Sequence, residues 1–188
     1  MTHTVLLGDS VFDNGAYVRG DPDVVRQLRP LLPGGSATLL AVDGAVLADV
    51  PRQLAGLPED ATHLVVSAGG NDALLASGVL DGPARSVAEA LDRLATVQDR
   101  FRAAYRAMLD AVLARRRPTA VCTIYDPRYP DPARRRLAAT ALAVLNDVVT
   151  REAAARGLAL LDLRVLCGED ADYANPIEIG RASCRERV

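Results

Sequence analysis

Apolar residues recur along this chain in two alternating rhythms. Short, mostly apolar runs at residues 4–8, 37–42, 63–68, 120–125 and 159–163 are separated by longer stretches with apolar residues three and four apart. Runs that are apolar on successive positions are strands covered on both faces, and the longer stretches are amphipathic helices. The pattern predicts helices over 22–32, 47–57, about 84–116 and 132–155, with Gly157 suited to cap the last. In the longest of these, Val87, Leu91, Leu94, Phe101, Met108 and Val112 recur at helical spacing and form the expected core stripe. Strands alternating with helices predict an α/β fold, a parallel sheet of five strands between two helical layers. No repeat, low-complexity block or linker divides residues 1–178, so one domain is expected.

Ligands of such sheets lie beyond the carboxyl ends of the strands. Ser10 follows the first predicted strand, Gly44 the second, Asn71 the third and Asp126 the fourth, and the segment through Asp172 follows the fifth. A serine hydroxyl at one strand end and a side-chain amide at another are the nucleophile and oxyanion donor of acyl transfer. Each has an ordinary structural role as well: Ser10 as a helix cap, Gly44 as a turn glycine, Asn71 in a loop turn. Their coincidence on one sheet edge favours chemistry.

Composition narrows the picture. A net charge of −2 with scattered signs gives no expectation of a nucleic acid or membrane partner. The 22 basic residues are all arginine, and the runs 115–117 and 134–136 read as solvated helix residues. Three scattered cysteines make neither a disulfide frame nor a zinc site, and Cys122 reads as core. No metal or other cofactor is expected. The chain enters its first strand without a basic region or long apolar stretch, so a cytoplasmic location is expected.

Residues 179–188 break the style of what precedes them. The codons ATC-GGA-AGA-GCG-TCG-TGT-AGG-GAA-AGA-GTG encode them, a string that looks like sequencing-adapter read-through. The expectation is a non-native tail after Glu178, with the natural chain running on.

The strand-end motifs resemble a family. Gly8-Asp9-Ser10 with Asp13-Asn14, then Val42-Asp43-Gly44-Ala45, then Gly69-Gly70-Asn71-Asp72 are similar to three of the four ordered blocks of the SGNH (GDSL-type) hydrolases. The resemblance implies a three-layer, flavodoxin-like α/β/α fold and hydrolysis of small, lipid or carbohydrate esters. It implies Ser10 as nucleophile, with the N–H groups of Ser10 and Gly44 and the Asn71 amide as oxyanion hole. The fourth block, Asp-x-x-His, aligns with Asp172-Tyr173-Ala174-Asn175, so Asn175 stands where the histidine should be. An amide cannot take a proton from serine at neutral pH. His63 opens the third strand while Ser10 closes the first, a separation of roughly 20 Å at 3.3 Å per residue, and His3 fails likewise. Two readings stay open: a hydrolase, weakened by its missing base or using Asp172 or a residue after Glu178, and a non-catalytic ester- or glycan-binding protein on the same scaffold. A two-metal phosphoesterase is disfavoured, because such sites take several histidine ligands.

Overall fold

The computed structural model describes residues 1–18 and 20–180. Five strands, β1 (His3–Gly8), β2 (Ser36–Leu39), β3 (His63–Ser67), β4 (Thr119–Cys122) and β5 (Ala159–Leu161), form one all-parallel sheet in the order β2-β1-β3-β4-β5. That is the flavodoxin-like order, and its direction reverses between β1 and β3. Ser10 and Asn71 follow those two strands.

Side chains on β1 explain the layers. Val5 and Leu7 point to one face and Leu6 to the other, the period-2 alternation of a strand, and all three are buried. On the first face they meet α2 (Val50–Gln53), α4 (Val87–Leu113) and α5 (Pro132–Ala155) through Val50, Tyr105, Leu109, Val112 and Val149. The other face packs against α1 (Val24–Leu28) and α6 (Leu163–Leu166) through Val25, Leu163 and Cys167. The expected three layers are therefore present. A shared carboxylate links two helices of the first layer: Glu152 accepts from Arg106 Nε at 2.7 Å and also pairs with Arg156.

Four details differ from the sequence pattern. Val87 and Leu91 are exposed rather than core. At 1.5 Å per residue the 27-residue α4 is about 40 Å long, twice the length of a strand, and its first turns overrun the sheet. Leu94, also assigned to the core, lines a cleft instead. The stretch 47–57 is not one helix but a 3-10 turn, the short α2 and a second 3-10 turn, and 22–32 shortens to α1 followed by a 3-10 turn that opens around Pro30.

After α6 comes a small antiparallel hairpin, β6 (Tyr173–Asn175) paired with β7 (Glu178–Ile179). Earlier in the chain, α3 (Gly70–Ala76) begins three residues after the end of β3. Ile179, the first residue of the expected tail, pairs with Tyr173 and is buried against the second face of the sheet. Gly180, the next residue of that tail, donates its N–H to Asp172 O at 3.0 Å, and residues 181–188 lie outside the described residues.

Candidate active site

The turn carrying Ser10 is built on Gly8. Its φ of +120° and its position against β3 leave no room for a side chain: a Cβ there would sit 1.6 Å from the Ser67 carbonyl oxygen. Gln53, at the end of α2, holds this residue on both sides. The Gly8 N–H donates to Gln53 Oε1 at 2.8 Å, and Gln53 Nε2 donates to the Gly8 carbonyl at 2.7 Å. The Val42 N–H reaches the same carbonyl at 3.0 Å, which ties the second block to the first. Asp9 N–H then donates to Ser67 O, and Asp9 O receives Phe12 and Asp13 N–H, closing a single turn that buries Ser10 at its corner.

Hydrogen bonds join the second and third blocks to this turn. Asp13 Oδ2 accepts from the Asp43 N–H at 2.9 Å, and the Tyr17 hydroxyl donates to Asp43 Oδ2 at 2.7 Å. Gly44 follows in a left-handed conformation, φ +77°, on an exposed turn. Its missing Cβ leaves open space, so a bound molecule can approach the backbone. Asn71 Nδ2 donates to Ala45 O at 2.9 Å, and Asp72 Oδ2 accepts from Leu47 N–H at 3.0 Å. A primary amide has two N–H donors. The bond to Ala45 uses one and fixes the direction of the other.

Ser10 and Asn71 line the same cleft, with Asp9, Gly70 and Glu178. The cleft has an envelope of about 850 Å³ and runs from the strand ends between α3, α4 and α5. Away from Ser10 its walls are mostly aliphatic, Leu74, Val79, Leu94, Val97 and Leu142 among them, with Ser77 and Tyr129 also lining it. Asn146 fixes one flank by the same device that Gln53 uses. Fully buried, it accepts from Ile124 N–H and donates to Ile124 O, both at 2.8 Å.

The fourth block is arranged differently from the first three. Asp172 is fully buried, and its Oδ2 accepts from Glu169 N–H at 2.9 Å. Asn175 is exposed on the hairpin, with Oδ1 accepting from Ile177 N–H at 3.0 Å. Neither is among the residues lining the cleft that holds Ser10; Glu178, three residues past Asn175, is. Two bonds hold the intervening loop against the segment after β4: Tyr125 Oη donates to Ile177 O at 2.6 Å, and Arg128 N–H donates to Pro176 O at 2.7 Å. Both histidines sit at the opposite edge of the sheet, opening β1 and β3. His3 is bonded to Asp60 at 2.9 Å and to Thr38 at 2.8 Å.

Burial dominates the electrostatics of the cleft. It pushes the Asp9 carboxyl up to about 7, against the Val11 N–H that favours the charged form, and the negative charge of Glu178 adds to the rise. Glu178 is also raised, first by burial; the influence of the Ser10 hydroxyl partly offsets this, and Asp43 adds repulsion. Asp72 is raised by burial, against the bond from Leu47. Burial pushes the Cys122 thiol up to about 12, which makes it a core residue and no nucleophile. Among the described residues, no group of three or more His, Cys, Asp or Glu could hold a metal ion, and no helix is long and apolar enough to cross a membrane.

Sequence reasoning missed Gln53, Asn146 and Glu178. The first two are single amides inside amphipathic helices, and nothing local marks them. Glu178 carried a weak signal, a carboxylate just past a block whose expected base is absent.

A flavodoxin-like sheet with a serine turn at its switch point and an amide on the neighbouring strand end defines a class of hydrolase scaffold. Residues 6–178 match the model of the GDSL-like lipase/acylhydrolase family, and the chain belongs to that family. No curated protein matches the sequence. Similar solved structures include an extracellular lipase from Streptomyces rimosus, 20% identical with a TM-score of 0.67, covering 96% of this chain and 86% of that one. A phospholipase A1 from Streptomyces albidoflavus is 21% identical with a TM-score of 0.67, covering 99% and 94%. An acetyl xylan esterase is 13% identical with a TM-score of 0.66, covering 97% and 94%. At these identities the likeness is one of fold.

Proposed function

We propose that this chain is a serine-dependent carboxylic ester hydrolase whose cleft receives the acyl part of its substrate. One observation carries the reading: Ser10 and Asn71 share a cleft whose far walls are mostly aliphatic. Ser10 Oγ attacks the ester carbonyl. The Ser10 and Gly44 N–H groups and the second N–H of Asn71 receive the oxyanion as it forms, an interaction worth about 3–4 kcal/mol for a single donor. Aliphatic groups beyond the carbonyl leave water for the walls formed by α3, α4 and α5, at about 0.8 kcal/mol for each methylene buried. Asp172 and Asn175 act through structure in this reading, the first capping the turn that enters the hairpin and the second bracing its loop. The substrate is a small-molecule ester, and the reaction needs no cofactor.

The test is a series of p-nitrophenyl esters from acetate to octanoate. The expected result is a kcat/KM that rises about tenfold or more along the series and falls about 10³-fold or more in Ser10→Ala. Turnover that ignores Ser10→Ala would refute the reading. The displacement of histidine by Asn175 favours a second reading, a binding protein that retains esters without cleaving them. That reading requires no Ser10-dependent turnover together with saturable binding of the same esters.

A further inference from the structure

We propose that Glu178 is the general base of this site, taking over from the histidine that position 175 lacks. The inference rests on the serine-hydrolase reading above. Its support is the architecture of the hairpin. The Asn175 side chain is committed to Ile177 N–H and faces solvent, whereas the next turn of chain brings Glu178 into the cleft that Ser10 also lines. Tyr125 Oη and Arg128 N–H anchor the loop carbonyls just before Glu178, so its approach to Ser10 is held by two bonds from a separate element. Asp9 is the other carboxyl of the cleft. It precedes Ser10 on the same turn, and its Oδ1 is engaged by Val11 N–H at 3.2 Å. It therefore influences the base through charge.

The proton balance is complete with Glu178 alone. As the Ser10 Oγ–carbon bond forms, the Oγ proton passes to the Glu178 carboxylate and the carbonyl electrons move onto the oxyanion. Collapse of the tetrahedral species breaks the bond to the leaving oxygen, which takes the proton from Glu178. Water then gives a proton to Glu178 while attacking the acyl carbon, and Ser10 departs with that proton. The acid product and the starting enzyme are regenerated.

Ser10, Asp9 and Tyr125 line the cleft with Glu178, and Asp43 and Tyr17, from the segments after β2 and β1, interact with its charge. Burial first, and the charge of Asp43 after it, hold its proton more firmly than in water against the opposing influence of Ser10, which makes it a stronger base than an exposed glutamate. Activity should then rise with pH as Glu178 ionises, above the ordinary glutamate range.

The experiment follows p-nitrophenyl butyrate hydrolysis across pH 4–9 in wild type, Ser10→Ala, Glu178→Gln and Glu178→Asp, with folding checked by circular dichroism. The expected result is Ser10-dependent turnover in wild type and a fall of about 10²–10⁴-fold in kcat for Glu178→Gln. The rise with pH should vanish in Glu178→Gln and return, shifted, in Glu178→Asp with part of the rate. Ser10-dependent turnover within threefold of wild type in folded Glu178→Gln would overturn the role of Glu178 and leave the hydrolase reading standing. If Glu178→Gln does not fold, a Glu178→Asp profile superimposable on wild type overturns it equally. Absence of Ser10-dependent turnover in wild type would overturn both.

Discussion

Asp9 offers a direct measure of how dry the candidate site is. It is buried at the foot of the cleft, and its carboxyl ionises at about 7 in the fold against 3.8 as an ordinary aspartate. One pKa unit corresponds to about 1.4 kcal/mol, so ionising Asp9 in place costs the fold on the order of 4 kcal/mol. A carboxyl raised by folding contributes full stability below its unfolded pKa and loses it as pH rises to its folded one. The loss here falls between pH 3.8 and about 7. Asp9→Asn keeps an acceptor for the Val11 N–H but carries no charge. It should match wild type near pH 4 and exceed it by about 2–4 kcal/mol at pH 8. Urea unfolding followed by far-ultraviolet circular dichroism measures this, since the chain has no tryptophan. An unchanged slope with a shifted midpoint would show a true stability gain. An equal difference between the two proteins at pH 4 and pH 8 would refute the argument that burial, rather than the hydrogen-bond pattern, controls this carboxyl.

Two further outcomes concern the turn that holds Ser10. Gly8→Ala places a methyl 1.6 Å from the Ser67 carbonyl, so it should lose more than about 4 kcal/mol or fail to fold, as a thermal melt would show. Gln53→Leu removes both side-chain bonds to Gly8 and strands its buried N–H. The expected cost is about 1–3 kcal/mol, with a drop in p-nitrophenyl ester turnover larger than the fraction unfolded explains; retained turnover would mean the turn holds Ser10 without the clamp.

The meeting of Ser10 and Asn71 at one cleft is legible in the sequence because it follows from topology. Once β1 and β3 are recognised as buried parallel strands, Ser10 and Asn71 must emerge at the same sheet edge, and the order of the sheet makes them neighbours. Local rules failed where the third dimension decides. Val87 and Leu91 have the spacing of core residues, but α4 is longer than the sheet it covers. Pro51 and Gly56 divide the stretch 47–57, and its pieces serve to aim Gln53 at Gly8. Gln53 and Asn146 each satisfy a backbone N–H and a C=O at the end of a strand, a role with no sequence period. The fourth block was read for its spacing, Asp172 to Asn175, whereas the fold turns the chain back after Pro176 and brings a later residue to the cleft.

In the proposed mechanism, with Glu178 as base and Asn71 as oxyanion donor, that turn has a chemical consequence. A glutamate with an ordinary pKa near 4.3 is a poor match for a serine hydroxyl at neutral pH, since general-base efficiency is best when the base titrates near the working pH. The hairpin answers this with placement. Anchored through Ile177 and Pro176 to the segment after β4, it carries Glu178 into a site where burial raises its affinity for a proton. The same low polarity strengthens the bond from Asn71 to a developing oxyanion, because both effects arise from exclusion of water. A more hydrated cleft would weaken base and oxyanion hole together. The aliphatic walls of the cleft therefore do more than accept an acyl chain: a chain that fills them completes the exclusion of water on which Glu178 depends. Longer esters should then gain in kcat as well as in KM, and a gain confined to KM would separate chain binding from the tuning of the base.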